Sequence, residues 1–181
     1  MEKKKTIDWK EIFSFIFCIA LAVLIACLFR HYVGQRILVD GSSMENTLHT
    51  GDNLITDKIS YRFQDPERFD IIVFQYAQDV YYIKRVIGLP GEKVQIAENG
   101  SIYINGSILE ESYGKETMIN PGTALEEITL GEKEYFVLGD NRNNSKDSRD
   151  PSVGVIHKKD IIGKAWCRVY PFDSIQLIKH K

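Results

Sequence analysis

The stretch Lys93-Val94-Gln95-Ile96-Ala97-Glu98-Asn99-Gly100-Ser101-Ile102-Tyr103-Ile104-Asn105-Gly106 decides the fold class. Asn99-Gly100 and Asn105-Gly106 flank a short apolar run, and Asn-Gly pairs suit the positive φ angles of tight hairpin turns. Working outward, short β-branched and aromatic runs recur at 36–39, 53–56, 71–76, 80–87, 93–97, 101–104, 134–138 and 161–170. Turn signals lie between them at Asp65-Pro66, Leu89-Pro90-Gly91 and Asn120-Pro121-Gly122. Past residue 30 no long helical periodicity is found, so the pattern predicts a mainly β domain. Residues from about 91 to 130 are more polar than their flanks and carry most of the turn signals. They are expected to form a hairpin-rich insertion in a core built from both sides.

Upstream, residues 12–29 read IFSFIFCIALAVLIACLF, with Ser14 the one polar side chain. At ~1.5 Å per residue this run makes a helix of about 27 Å, close to the hydrocarbon thickness of a bilayer. Trp9 and Tyr32 stand where interfacial aromatics belong, and Lys3, Lys4, Lys5 and Lys10 precede the run. The lysine excess predicts that residues 1–11 are cytoplasmic, 12–29 a transmembrane anchor, and 30–181 an extracytoplasmic domain. A cleaved signal peptide has a shorter apolar region and a small-x-small exit; here the run ends in Leu28-Phe29-Arg30-His31-Tyr32. An uncleaved anchor is the better reading.

The 181-residue chain is 44% hydrophobic and 27% charged, a globular composition, and its net charge of −2 gives no reason to expect a nucleic-acid partner. Cys18 and Cys27 fall in the apolar run and Cys167 stands alone, so neither a disulfide framework nor a zinc site can be built. The four histidines are dispersed. No metal or other cofactor is expected.

Chemistry-bearing residues fall in three places. In Val39-Asp40-Gly41-Ser42-Ser43-Met44, Gly41 allows a sharp turn that can aim a serine outward, although such turns are usually plain loops. In the run 80–87, strand alternation places Lys84 on the apolar face of Val80, Tyr82 and Val86. Burial there favours the neutral amine, a possible proton acceptor; a lone strand lysine more commonly snorkels to water. Arg85, on the opposite face, reads as a solvated surface charge. The polar stretch Gly139-Asp140-Asn141-Arg142-Asn143-Asn144-Ser145-Lys146-Asp147-Ser148-Arg149 is either a solvated loop or a rigid support for a site.

Together these pieces resemble the bacterial type I signal peptidases. The resemblance is carried by Ser43-Met44 after an anchor, by Tyr82-Ile83-Lys84-Arg85-Val86-Ile87-Gly88-Leu89-Pro90-Gly91-Glu92, and by the Gly-Asp-Asn-Arg loop. It extends to Gly51-Asp52, the strand 70–74 and Gly163-Lys164-Ala165-Trp166, and the single anchor and short insertion look like the Gram-positive form. The resemblance implies an antiparallel β-barrel or sheet domain behind one transmembrane helix. It implies a serine endopeptidase of the cell membrane, acting on the signal peptides of exported pre-proteins, with membrane lipid as its other partner. Ser43 is then the nucleophile and Lys84 the general base. Ser145 is expected to hydrogen-bond and orient Lys84, Asp147 and Arg149 to form a structural ion pair, and Asp140 to support the same loop. Two departures stand out: Glu45-Asn46 occupies a stretch where the family commonly has Pro, and Gly41 stands where some relatives have an oxyanion-stabilising serine.

Three other readings compete. A Ser-His-Asp hydrolase lacks its G-x-S-x-G elbow here, and its candidate histidines, His49 and His157, sit in turn-like contexts. A self-cleaving repressor has no room for a DNA-binding domain before the serine. A membrane-tethered binding domain without activity remains the non-enzyme alternative.

Overall fold

The computed structural model describes residues 9–28 and 34–180. The expected flanking features Lys3, Lys4, Lys5, Phe29, Arg30 and Tyr32 lie outside the described residues. Helix α1 (Trp9–Leu28) carries the apolar run with a mean hydropathy of 2.7 and buries none of it within the protein. A helix apolar on all sides needs an apolar surround, which the chain itself does not supply.

Among the described residues the remaining elements are strands, joined by turns, by one short α-helix, α2 (Ser60–Phe63), and by single-turn 3-10 helices at Gly122–Leu125, Lys158–Asp160 and Phe172–Ser174. They are β1 (Gly34–Leu38), β2 (Asn53–Asp57), β3 (Ile71–Ala77), β4 (Val80–Gly88), β5 (Lys93–Ile96), β6 (Ile102–Ile104), β7 (Ser107–Ile108), β8 (Ile128–Thr129), β9 (Glu134–Leu138), β10 (Ile156–His157), β11 (Ile161–Tyr170) and β12 (Gln176–Leu177). The large sheet runs β1-β2-β11-β3-β4-β9-β10, with β12 beside β11; a second sheet runs β7-β6-β5-β8. All pairings are antiparallel. The fold is therefore mainly β and antiparallel behind one apolar helix. Each of the eight strands expected from the sequence is present.

Period-two alternation explains how one sheet serves several cores. In β3, Ile71 and Val73 point into a cluster with Met44, Leu48, Leu54 and Ala165, while Ile72 and Phe74 join Val86, Tyr135 and Val137 on the other face. β4 and β9 then hand their ends to a third cluster, where Ile87, Phe136 and Leu138 meet Val94, Ile96 and Ile102 of the second sheet. Each fully buried aliphatic or aromatic side chain contributes about 1.5–3 kcal/mol. A strand buried on both faces leaves its polar residues no route to water, and this decides the fate of Lys84 and Arg85.

Candidate active site

Ser43 leaves the sheet between Val39 and Leu48, in a turn that begins at Gly41 with φ +115°, a conformation side chains with a Cβ avoid. The adjoining side chains of Met44 and Leu48 are 1% exposed and plug the turn into the core. The Glu45–Asn46 peptide is cis.

Lys84 comes from the middle of β4, paired across from Ile72, and is only 4% exposed. Its Nζ lies 2.8 Å from Ser43 Oγ and donates to the Ile83 carbonyl at 3.0 Å. The ring of Tyr82 lies 5.1 Å from the same nitrogen. Burial pushes the Lys84 amine down to about 8, against the pull of the Asp147 and Asp140 carboxylates, which favour the charged form. A hydroxyl thus sits at proton-transfer distance from an amine that is neutral in a substantial fraction of molecules near pH 8.

The loop after β9 holds this pair in place. Asn141 donates its backbone N–H to the Ser43 carbonyl at 3.0 Å, and its side chain donates to the Ser42 carbonyl at 3.1 Å. Asn144 Nδ2 donates to Ser42 Oγ at 2.8 Å. Gly139 permits the approach, since a Cβ there would fall 2.2 Å from Ser145 Oγ and 2.5 Å from the Ser43 carbonyl oxygen. The loop itself is braced by Asp147, fully buried, which takes Arg149 Nε at 2.8 Å and Nη2 at 2.9 Å. Arg149 spends its other N–H groups on the carbonyls of Arg142 and Asn120.

Asp140 does more than brace its own loop. Its two carboxylate oxygens accept from Arg85 Nε at 2.8 Å and Nη2 at 2.6 Å, and Thr47 Oγ1 donates to Oδ2 at 2.5 Å. Arg85 is 1% exposed and also covers the Tyr113 ring at 3.8 Å. The expectation of a solvated Arg85 is wrong: both faces of β4 are covered here, and the counter-charge lies 55 positions away in the chain. This pair ties the strand of Lys84 to the turn of Ser43.

Ser145 departs from expectation as well. Its Oγ is buried but has no hydrogen-bond partner among the described residues, so the anticipated bond to Lys84 is not made. Lys84 Nζ satisfies itself on Ser43 and the Ile83 carbonyl instead. His49 and His157 are both exposed, and Ser43 Oγ is engaged by Lys84, which removes the support for a Ser-His-Asp arrangement.

Ser43 and Lys84 open onto a cleft of about 580 Å³, walled by β1, by the start of β4 and by Asn144 and Lys146. Thr47, Arg85, Asn141 and Lys146 are functional candidates that composition did not single out. The buried carboxylate of Asp140 demanded a buried cation, and that was the one available signal for Arg85.

A hydroxyl paired with a buried amine in an open cleft belongs to the hydrolases that use serine without histidine. Residues 12–170 match the family model described as signal peptidase, peptidase S26. The chain is 35% identical to signal peptidase I of Bacillus amyloliquefaciens, over 98% of either chain. It is 38% identical to probable signal peptidase I-2 of Synechocystis, covering 87% of this chain and 72% of that one. A crystal structure of a signal peptidase I from Enterococcus faecalis V583 is 35% identical and covers 56% of this chain and 97% of that one, with a TM-score of 0.47. The chain belongs to the signal peptidase family, peptidase S26. It is a membrane peptidase that removes signal peptides from pre-proteins.

Proposed function

We propose that Ser43 is the nucleophile and neutral Lys84 the general base of this peptidase. The observation that carries the assignment is the 2.8 Å contact between Ser43 Oγ and a lysine amine that is 4% exposed. Ser43 gives its proton to Lys84 as its oxygen bonds to the carbonyl carbon at the cut site. Lys84 passes that proton to the departing amine of the mature protein, leaving an acyl-enzyme on Ser43. Water then loses a proton to Lys84, attacks the ester, and releases the signal peptide as Ser43 regains its proton. The backbone N–H of Ser43 is assigned to the oxyanion. Asp140, Asp147 and Arg149 keep the loop and the dyad in register; Ser145 is assigned to the same support, beside Gly139, without a bond to the amine.

β1 lies at the edge of the large sheet and forms one wall of the cleft. Its unpaired backbone groups suit an extended peptide lying alongside it. The orientation assigned to the chain puts 1–11 in the cytoplasm, 12–29 in the bilayer and 30–181 outside, with about 91–130 as an insertion. Lipid contact is supported by exposed Trp166, Tyr170, Phe172, Ile175 and Leu177, which sit in the second half of β11 and in the segment after it.

A fluorophosphonate-type acylation or phosphonylation probe, mapped by peptide mass, tests the dyad. The expected outcome is a single adduct on Ser43 in the native protein and none on Lys84→Ala. Labelling at another serine, or equal labelling of both proteins, contradicts the assignment.

A further inference from the structure

The cleft carries a charge that the dyad does not use. Lys146 lines it with Ser43 and Lys84. Its Nζ donates to Tyr76 Oη at 3.0 Å and stands 5.0 Å from the centre of the Tyr76 ring. Tyr76 supplies both contacts, and among the described residues no carboxylate lies within ion-pair distance of this ammonium, Asp150 acting on it only from further away. The hydrogen bond to Tyr76 raises the Lys146 pKa, so the group is charged wherever the enzyme works. A second cation, Arg36, lines the same cleft with its Nε on the neutral Asn53 side chain at 2.8 Å, while Asp40 is the one carboxylate in the lining. With Lys84 neutral, the cleft therefore has an excess of positive charge.

Lys146 is also held in position. Tyr76 stacks on Tyr82 with centroids 4.5 Å apart and planes 6° off parallel, and Tyr82 in turn faces the Lys84 amine. The chain on either side of Lys146 is fixed by Asn144 on Ser42 Oγ and by the buried Asp147. We propose that Lys146 is a specificity-determining residue, whose ammonium receives an acidic side chain of the pre-protein within a few residues of the cut. The inference rests on the peptidase reading above and deepens it from the cut itself to the sequence around it.

The test uses a model pre-protein with Glu or Gln placed in turn at each of three positions on either side of the cut. kcat/KM is measured for the native enzyme, Lys146→Met and Lys146→Glu, at low and high salt. The expected result is a preference for Glu over Gln of about 3–10-fold at one position, the scale of a partly exposed ion pair, shrinking at high salt. Lys146→Met abolishes that preference and Lys146→Glu inverts it. A favoured position before the cut assigns the contact to the signal peptide, and one after it to the mature chain. A Glu-to-Gln ratio near one at every position in the native enzyme, or a ratio unchanged in Lys146→Met, overturns the inference while cleavage of the Gln substrates leaves the peptidase reading intact. Failure to cleave any substrate overturns both.

Discussion

Lys84→Ala is expected to lower kcat for pre-protein cleavage by about 10⁴-fold or more, the scale on which a nucleophile–base unit fails when one member is removed. The reason is geometric and electrostatic together. Among the described residues the amine is the one group at hydrogen-bond distance from Ser43 Oγ, and its burial is what keeps it basic yet uncharged. Lys84→Arg is expected to be as inactive, since a guanidinium stays protonated at any working pH. Neither loss should come from unfolding: Lys84→Ala removes a desolvated amine from an apolar face, so its thermal midpoint should match or exceed that of the native protein. Rates above a hundredth of native for Lys84→Ala, with the fold intact, would remove Lys84 from the mechanism.

The second large effect concerns stability. Asp140→Ala strips the counter-charge from Arg85, which is 1% exposed, and is expected to cost about 3–5 kcal/mol in denaturant unfolding. The double replacement Arg85→Met with Asp140→Leu should recover most of this loss, because paired apolar groups no longer leave a charge stranded. It should not recover activity, since Thr47 loses its acceptor and the turn of Ser43 loses its tie to β4. A cost below about 1 kcal/mol for Asp140→Ala would mean that Arg85 finds water or another carboxylate.

Much of this molecule could be read from its residues, and the limits were physical. Strands of three residues or more carry a period or a hairpin signal, and all eight that were expected are found. The two-residue strands Ser107–Ile108, Ile128–Thr129, Ile156–His157 and Gln176–Leu177 are too short to show one; they exist because a neighbouring strand offers its edge. The lysine on an apolar face was legible from alternation, but its meeting with Ser43, 41 positions away, was carried by family resemblance alone. Arg85 was misread because alternation says which residues share a face and not whether that face is covered. Ser145 shows the opposite limit. Its place in the loop was foreseen, yet its hydroxyl lies against Gly139, where a Cβ would fall 2.2 Å from the Oγ, and makes no bond to the Lys84 amine.

The central claim, that a neutral lysine takes the serine proton, is tested most directly by the pH dependence of kcat/KM. Only the uncharged amine accepts a proton, and below about 8 the amine is charged, so the rate must rise with pH. The account predicts a tenfold gain per pH unit on the acid side, levelling off near 8. A profile already level above pH 7, with its limb in the histidine range, would contradict it.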